Sequence, residues 1–134
     1  MPLAGLKGRS MYEVSVEETF AAAHNLRNYK GKCEDLHGHN YKIRVVLAGK
    51  ELDSTGLLYD FVQLKQAIRS VIASLDHKYL NELPPFDTLN PSAENLARHI
   101  YDQASRQLPP APNGAGIASV TVWETETTAA TYRP

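Results

Sequence analysis

The strongest constraint on this chain is a change of hydrophobic period, from two residues to about 3.6 and back to two, along its length. Tyr12, Val14 and Val16 alternate with polar residues. Phe20, Ala22 and His24 keep the same parity if the run passes without a bulge, so a first strand spans residues 11–24. A second strand begins at His37: His39, Tyr41, Ile43, Val45 and Leu47 share its parity, Lys42 and Arg44 take the other, and Gly49 ends the run. Helical spacing then takes over. Phe61, Leu64, Ile68, Ile72 and Leu75 fall on one face, and Asp60 with Gln63 three residues later fits a capping box. Asn90-Pro91-Ser92 opens a second helix, with Asn90 or Ser92 as cap and Leu96, Ile100, Ala104 and Leu108 as its buried stripe. Two long loops are expected, at residues 81–90 and 108–116; the latter, with Pro109, Pro110, Pro112, Gly114 and Gly116, cannot hold a regular element. Residues 117–125 and 128–133 read as a closing pair of strands joined by a tight turn. The order ββααββ predicts an α+β domain, an antiparallel four-stranded sheet with two helices packed on one face.

A chain of 134 residues has room for one such core and little for a second, so residues 11–134 are expected to form a single domain behind a short flexible leader, residues 1–10. The formal net charge is −1 and no block of one sign occurs, which removes the basic footprint that nucleic acid or an anionic membrane requires. No apolar run approaches a membrane span. Cys33 is the only cysteine, so no intrachain disulfide can form, and the lone thiol suits a reducing, cytoplasmic setting.

The chemistry concentrates in residues 24–39. His37 and His39 stand two positions apart on an extended chain, so both imidazoles point the same way, about 7 Å apart along the strand and within reach of one metal ion. Gly38 between them adds no side chain. Such a pair also arises by chance in a chain with five histidines. His24 strengthens the metal reading, because it ends a separate strand on an apolar parity where a lone imidazole is poorly accommodated. Three histidines with an open fourth position is the arrangement of a catalytic zinc. Cys33, four residues before His37, is either a small buried hydrophobe or, beside a dication, a thiolate able to act as a base. Asp76-His77 follows the first helix, where an adjacent carboxylate and imidazole either cap the helix or relay a proton. Glu124 interrupts the run Val120-Thr121-Val122-Trp123 and needs a partner if buried, such as the donor edge of a pterin or guanine; a surface position is the alternative. His99 is assigned no role.

Five blocks in order resemble the 6-pyruvoyl-tetrahydropterin synthase family, which includes the 6-carboxy-5,6,7,8-tetrahydropterin synthases. They are Phe20-Ala21-Ala22-Ala23-His24, the run from Cys33 through His37-Gly38-His39 to Tyr41, Leu75-Asp76-His77-Lys78-Tyr79-Leu80-Asn81, Asn90-Pro91-Ser92-Ala93-Glu94-Asn95-Leu96 and Trp123-Glu124-Thr125. The resemblance implies the tunnelling fold (T-fold). It also implies Zn²⁺ held by His24, His37 and His39, Cys33 as catalytic base, Asp76 and His77 as the rest of the relay, Glu124 as both a catalytic residue and the pterin anchor, and Ser92 as a second substrate contact. Two positions depart from the pattern. Ala21 stands where relatives often carry Ser or Glu, and Ala93 where a hydroxyl is frequent; both bear on one hydrogen bond near the pterin and leave the ligands untouched.

The implied reaction converts 7,8-dihydroneopterin triphosphate to 6-carboxy-5,6,7,8-tetrahydropterin, acetaldehyde and triphosphate, on the route to queuosine. The alternatives within the family are the 6-pyruvoyl product and, given Glu34 beside the cysteine, cleavage to 6-hydroxymethyl-dihydropterin. The implied assembly is a homohexamer in which two twelve-stranded trimeric barrels stack, with active sites at subunit borders. Outside the family, a His₃ zinc hydrolase would need no Glu124 anchor, and a non-catalytic zinc- or pterin-binding module would need no Cys33.

Overall fold

A computed structural model describes residues 10–28 and 35–134. Strand β1 (Tyr12–His24) runs without a bulge and pairs antiparallel with β2 (His37–Gly49) from Tyr12↔Gly49 through to His24↔His37. The predicted parity is therefore real. Val16, Phe20, Ala22 and His24 are buried on the same face as Tyr41, Ile43, Val45 and Leu47. Strand β2 pairs in turn with β4 (Gly116–Thr125), and β4 with β5 (Thr128–Tyr132), both antiparallel.

The sheet has five strands rather than four, and it is not wholly antiparallel. Its order is β3-β1-β2-β4-β5, and β3 (Lys78–Tyr79) lies parallel to β1 beside Ala22 and Ala23. Two residues carry no readable period, so sequence pattern is silent here. The pairing is produced by the turn before it, where His77 takes φ 58° and its N–H donates to the Ala21 carbonyl at 2.6 Å. The chain is thereby laid along the edge of β1. The expected loop at 81–90 opens with a 3₁₀ turn, Leu80–Glu82, and is pinned by buried Leu80 and Phe86.

Helix α1 (Phe61–Ala73) is capped by Asp60, whose carboxylate accepts the Val62 N–H at 2.8 Å. Helix α2 (Ala93–Gln107) is capped by Ser92, whose hydroxyl accepts the Asn95 N–H at 3.2 Å. Helix α2 packs on β4 and β5, and α1 on β1 and on α2. Leu64, Ile68, Leu96 and Ile100 are fully enclosed between helices and sheet, each contributing about 1.5–3 kcal/mol relative to an exposed position. Phe61 departs from its predicted place. It is the first residue of the helix and stays 47% exposed. Leu108 is only partly buried, and Leu75 is buried although it follows the helix. The opposite parity of the sheet carries Lys42, Arg44 and half-buried Trp123, with the Lys42 ammonium 4.3 Å from the indole centroid. No helix among the described residues is long and apolar enough to cross a membrane.

Candidate metal centre

The end of the β1–β2 ladder brings His24 and His37 directly opposite each other, with His39 one step further on the same face. The three rings meet edge to face with centroids 4.6–5.0 Å apart. Glu124, near the end of β4, completes the group. Its Oε1 lies 3.2 Å from His24 Nε2 and 2.9 Å from His39 Nε2, and one ligand atom from each of the four residues lies within 4.8 Å of every other. These residues are positioned to bind a metal ion.

Two backbone carbonyls decide which ring nitrogens face inward. A carbonyl only accepts, so His24 Nδ1, 2.8 Å from the Pro91 oxygen, carries the proton and donates it; His37 Nδ1 does the same to the Asp35 oxygen at 2.8 Å. In the neutral rings each Nε2 is then a bare lone pair, and the two lone pairs face each other at 3.0 Å. A cation between them resolves that opposition. Two ligands held at about 2.0–2.1 Å from a tetrahedral ion lie roughly 3.3 Å apart, within a few tenths of an ångström of the 3.0, 3.2 and 2.9 Å separations here. The donor set fits a metal ion.

Behind His24 stands a polar network that sequence reasoning missed. Asn90 accepts the Arg27 N–H at 2.8 Å and donates to the Arg27 carbonyl at 2.9 Å, while Asn95 donates to the Asn90 carbonyl at 2.9 Å. The Arg27 guanidinium donates to the Phe86 carbonyl at 2.7 Å and the Asn81 carbonyl at 3.2 Å. These bonds lock the segment that presents the Pro91 oxygen to His24. The asparagines in predicted loops were the available signal, since Asn often holds loop backbone through its side chain.

Asp76 and His77 sit at the sheet edge after α1. Asp76 Oδ1 accepts the Ala21 N–H at 2.9 Å and lies 3.0 Å from His77 Nδ1, while the His77 side chain is 82% exposed. The Ala21 N–H holds the Asp76 carboxyl below its ordinary range; desolvation opposes it, and the His77 ring and backbone add to the lowering. His77 and His39 line the same open groove of about 500 Å³, with Ala21, Ala23, Gly38 and Tyr79. One member of the expected relay pair, His77, and one of the metal cluster, His39, thus face one concavity.

Glu124 is one-third exposed and finds its partners in the imidazoles, a contact the pattern of β4 did not announce. Ser92 is placed as the α2 cap, immediately after the carbonyl that orients His24, and is not among the groove's lining residues. Cys33 and Glu34 lie outside the described residues, as do residues 1–9 of the expected leader. His99 packs edge-on against Phe86 at 5.1 Å, and burial pushes its imidazole pKa down.

A family model described as 6-pyruvoyl tetrahydropterin synthase matches residues 13–134. The 6-carboxy-5,6,7,8-tetrahydropterin synthase of Synechocystis is 35% identical over 127 residues, covering 91% of this chain and 93% of its own length. The enzyme of that name from Bacillus subtilis is 33% identical over 128 residues, covering 92% of this chain and 86% of its own. Among solved structures, 6-pyruvoyl tetrahydropterin synthase from Caenorhabditis elegans superposes with a TM-score of 0.80 at 28% identity, over 93% of this chain and 96% of that one.

Proposed function

The chain belongs to the 6-pyruvoyl tetrahydropterin synthase family, and from that premise we propose that it is a zinc-dependent lyase converting 7,8-dihydroneopterin triphosphate to 6-carboxy-5,6,7,8-tetrahydropterin, acetaldehyde and triphosphate. The observation that carries this reading is the convergence of His24, His37, His39 and Glu124 beside a groove that His39 shares with the Asp76-held His77. Three imidazoles and an oxygen donor suit Zn²⁺. The names of the Synechocystis and Bacillus relatives favour the carboxy product, and with it a place on the route to queuosine.

Bound zinc supplies Lewis acidity and a template for the hydroxyls of the substrate side chain. The protein supplies the proton traffic. Cys33, as thiolate, takes a proton from the side-chain carbon next to those hydroxyls. His77 donates its Nδ1–H to Asp76, which leaves Nε2 to exchange protons with the substrate oxygens. Glu124 accepts from the amino and ring N–H groups of the pterin, and Ser92, whose oxygen accepts from Asn95, keeps its own O–H to donate. No redox cofactor is required, because the electron pair released by the first deprotonation passes into the pterin ring, which is reduced as that side-chain carbon becomes a carbonyl. Loss of a second proton from the neighbouring carbon expels triphosphate with its bonding pair, and addition of water at the carbon–carbon bond then gives the 6-carboxy group and acetaldehyde.

The same reading includes a homohexamer of two stacked trimeric barrels in the cytoplasm. The sheet's edges support association: β3 covers β1 only at Ala22 and Ala23, and β5 is the last strand on the other side. Strand edges of that length invite pairing between subunits. The reaction is tested by mass spectrometry of what the zinc-loaded protein forms from 7,8-dihydroneopterin triphosphate. A 6-carboxy product with stoichiometric acetaldehyde is expected; a 6-pyruvoyl or 6-hydroxymethyl product reassigns the chain within the family, and an untouched substrate overturns the enzyme reading.

A further inference from the structure

We propose that Lys78 is the triphosphate-binding residue of the groove: its ammonium takes the polyanionic tail of the substrate while the metal centre takes the side-chain hydroxyls. This rests on the pterin-triphosphate reading above and adds the cation that reading lacks.

Strand register puts Lys78 on the face of the histidines. Ala22 has His39 opposite it on β2 and Lys78 opposite it on β3, so the three residues stand abreast across the sheet. Residues paired in this way point to the same side. Neighbouring strands lie about 4.8 Å apart, so the Cα atoms of His39 and Lys78 are about 10 Å apart with only the Ala22 methyl between them. Both residues line the groove of about 500 Å³, where Ala21, Ala23 and Gly38 keep the floor clear. In 7,8-dihydroneopterin triphosphate the phosphate ester sits on the third side-chain carbon, next to the two carbons whose hydroxyls the metal orients. Hydroxyls held at the histidines therefore leave the phosphate chain in the groove, within reach of a four-carbon stem.

The groove needs a cation. Glu124 stands in the metal cluster and Asp76 beside His77, and both carboxylates repel an incoming polyanion. Among the described residues, Lys78 is the one lysine or arginine lining the groove, and its exposed ammonium has no ion pair or hydrogen bond. The guanidinium of Arg27 is committed to the Phe86 and Asn81 carbonyls at 2.7 and 3.2 Å. Lys42 and Arg44 stand on the opposite face of the sheet, over Trp123. The backbone of Lys78 is fixed on both sides: the His77 N–H donates to the Ala21 carbonyl at 2.6 Å, and the Tyr79 hydroxyl donates to Asn25 Oδ1. A phosphate that takes this ammonium has no internal contact to break, and the backbone that carries it is already ordered.

The test is equilibrium binding of neopterin and of neopterin triphosphate to the zinc-loaded protein, read by fluorescence, with inorganic triphosphate as competitor. The wild type should bind the triphosphate ester more tightly than neopterin. Lys78→Ala should bind neopterin as the wild type does, while its affinity for neopterin triphosphate falls about tenfold to a hundredfold, the size expected for one charge-assisted contact. Competition by inorganic triphosphate should weaken in parallel. Lys78→Arg should restore both, and Lys65→Ala, which removes a charge from the exposed face of α1, should change neither. Unchanged affinity for neopterin triphosphate in Lys78→Ala, an equal loss in Lys65→Ala, or an equal loss of neopterin itself overturns the proposal, as does a wild type that gains nothing from the triphosphate. A wild type that does not bind neopterin refutes the pterin reading separately. Lys78 is then judged by calorimetric titration of inorganic triphosphate alone, where equal affinity of wild type and Lys78→Ala overturns it.

Discussion

Replacing Asn90 by Ala should weaken both the fold and the metal centre, although Asn90 touches neither metal nor substrate. Its side chain makes two hydrogen bonds to the backbone of Arg27, at 2.8 and 2.9 Å, and both are partly shielded from water. At about 1 kcal/mol net for each, their loss costs roughly 2 kcal/mol. For a chain of this size a loss of 1 kcal/mol lowers Tm by about 3–5 °C, so the metal-free variant should melt roughly 6–10 °C below the metal-free wild type. Using metal-free protein on both sides keeps ligand linkage out of the comparison. The second effect arises because Pro91, the next residue, gives its carbonyl to His24 Nδ1. With the carbonyl no longer held, the ring loses the partner that sets its tautomer and direction, and zinc affinity should fall about 10- to 100-fold in a competition titration against a chelator. Asn90→Asp separates the two bonds, since the carboxylate still accepts the Arg27 N–H but opposes the Arg27 carbonyl. Zinc affinity unchanged in Asn90→Ala, in a variant that melts lower, would refute the link from Asn90 through Pro91 to His24. An unchanged Tm would refute the energetic accounting as well.

Purified protein should hold about one zinc per chain, and His37→Ala or His39→Ala should remove it by elemental analysis, since each takes away one of three imidazole ligands. Cys33→Ala should retain zinc and neopterin binding while losing most turnover; mixed with His77→Ala chains it should regain activity that neither variant shows alone if the site is shared between subunits, with recovery approaching about a quarter of sites at equal mixing. Asp76 has a lowered folded-state pKa, set first by the Ala21 N–H, so its contribution to stability is present above the ordinary value of 3.8 and is lost as pH falls through the lower folded value. Denaturant melts should therefore show the wild type more stable than Asp76→Asn at neutral pH, with the gap closing in the acid range below 3.8; a gap that is independent of pH would remove the carboxylate from the account.

The four long strands and both helices were legible from period alone, because a sheet or helix that buries one face must repeat its apolar residues at that element's own spacing. The parity of His37 and His39 followed from the same rule, and His24 joined them because its strand ran without a bulge. Chain order could not show what meets across the fold. Strand β3 is two residues long and exists because the turn at His77 lays the chain against Ala21. The carbonyls of Pro91 and Asp35 orient the rings, and a carbonyl belongs to every residue alike, so no residue type marks it. Glu124 read as an acceptor waiting for a partner, while its partners, His24 and His39, are 100 and 85 residues away in the chain. Residue types and spacing determined that three imidazoles and a carboxylate were available on apolar strands. Only the register of β1 on β2, and of β2 on β4, decided that they point at one place, because lone pairs converge through the geometry of paired backbones.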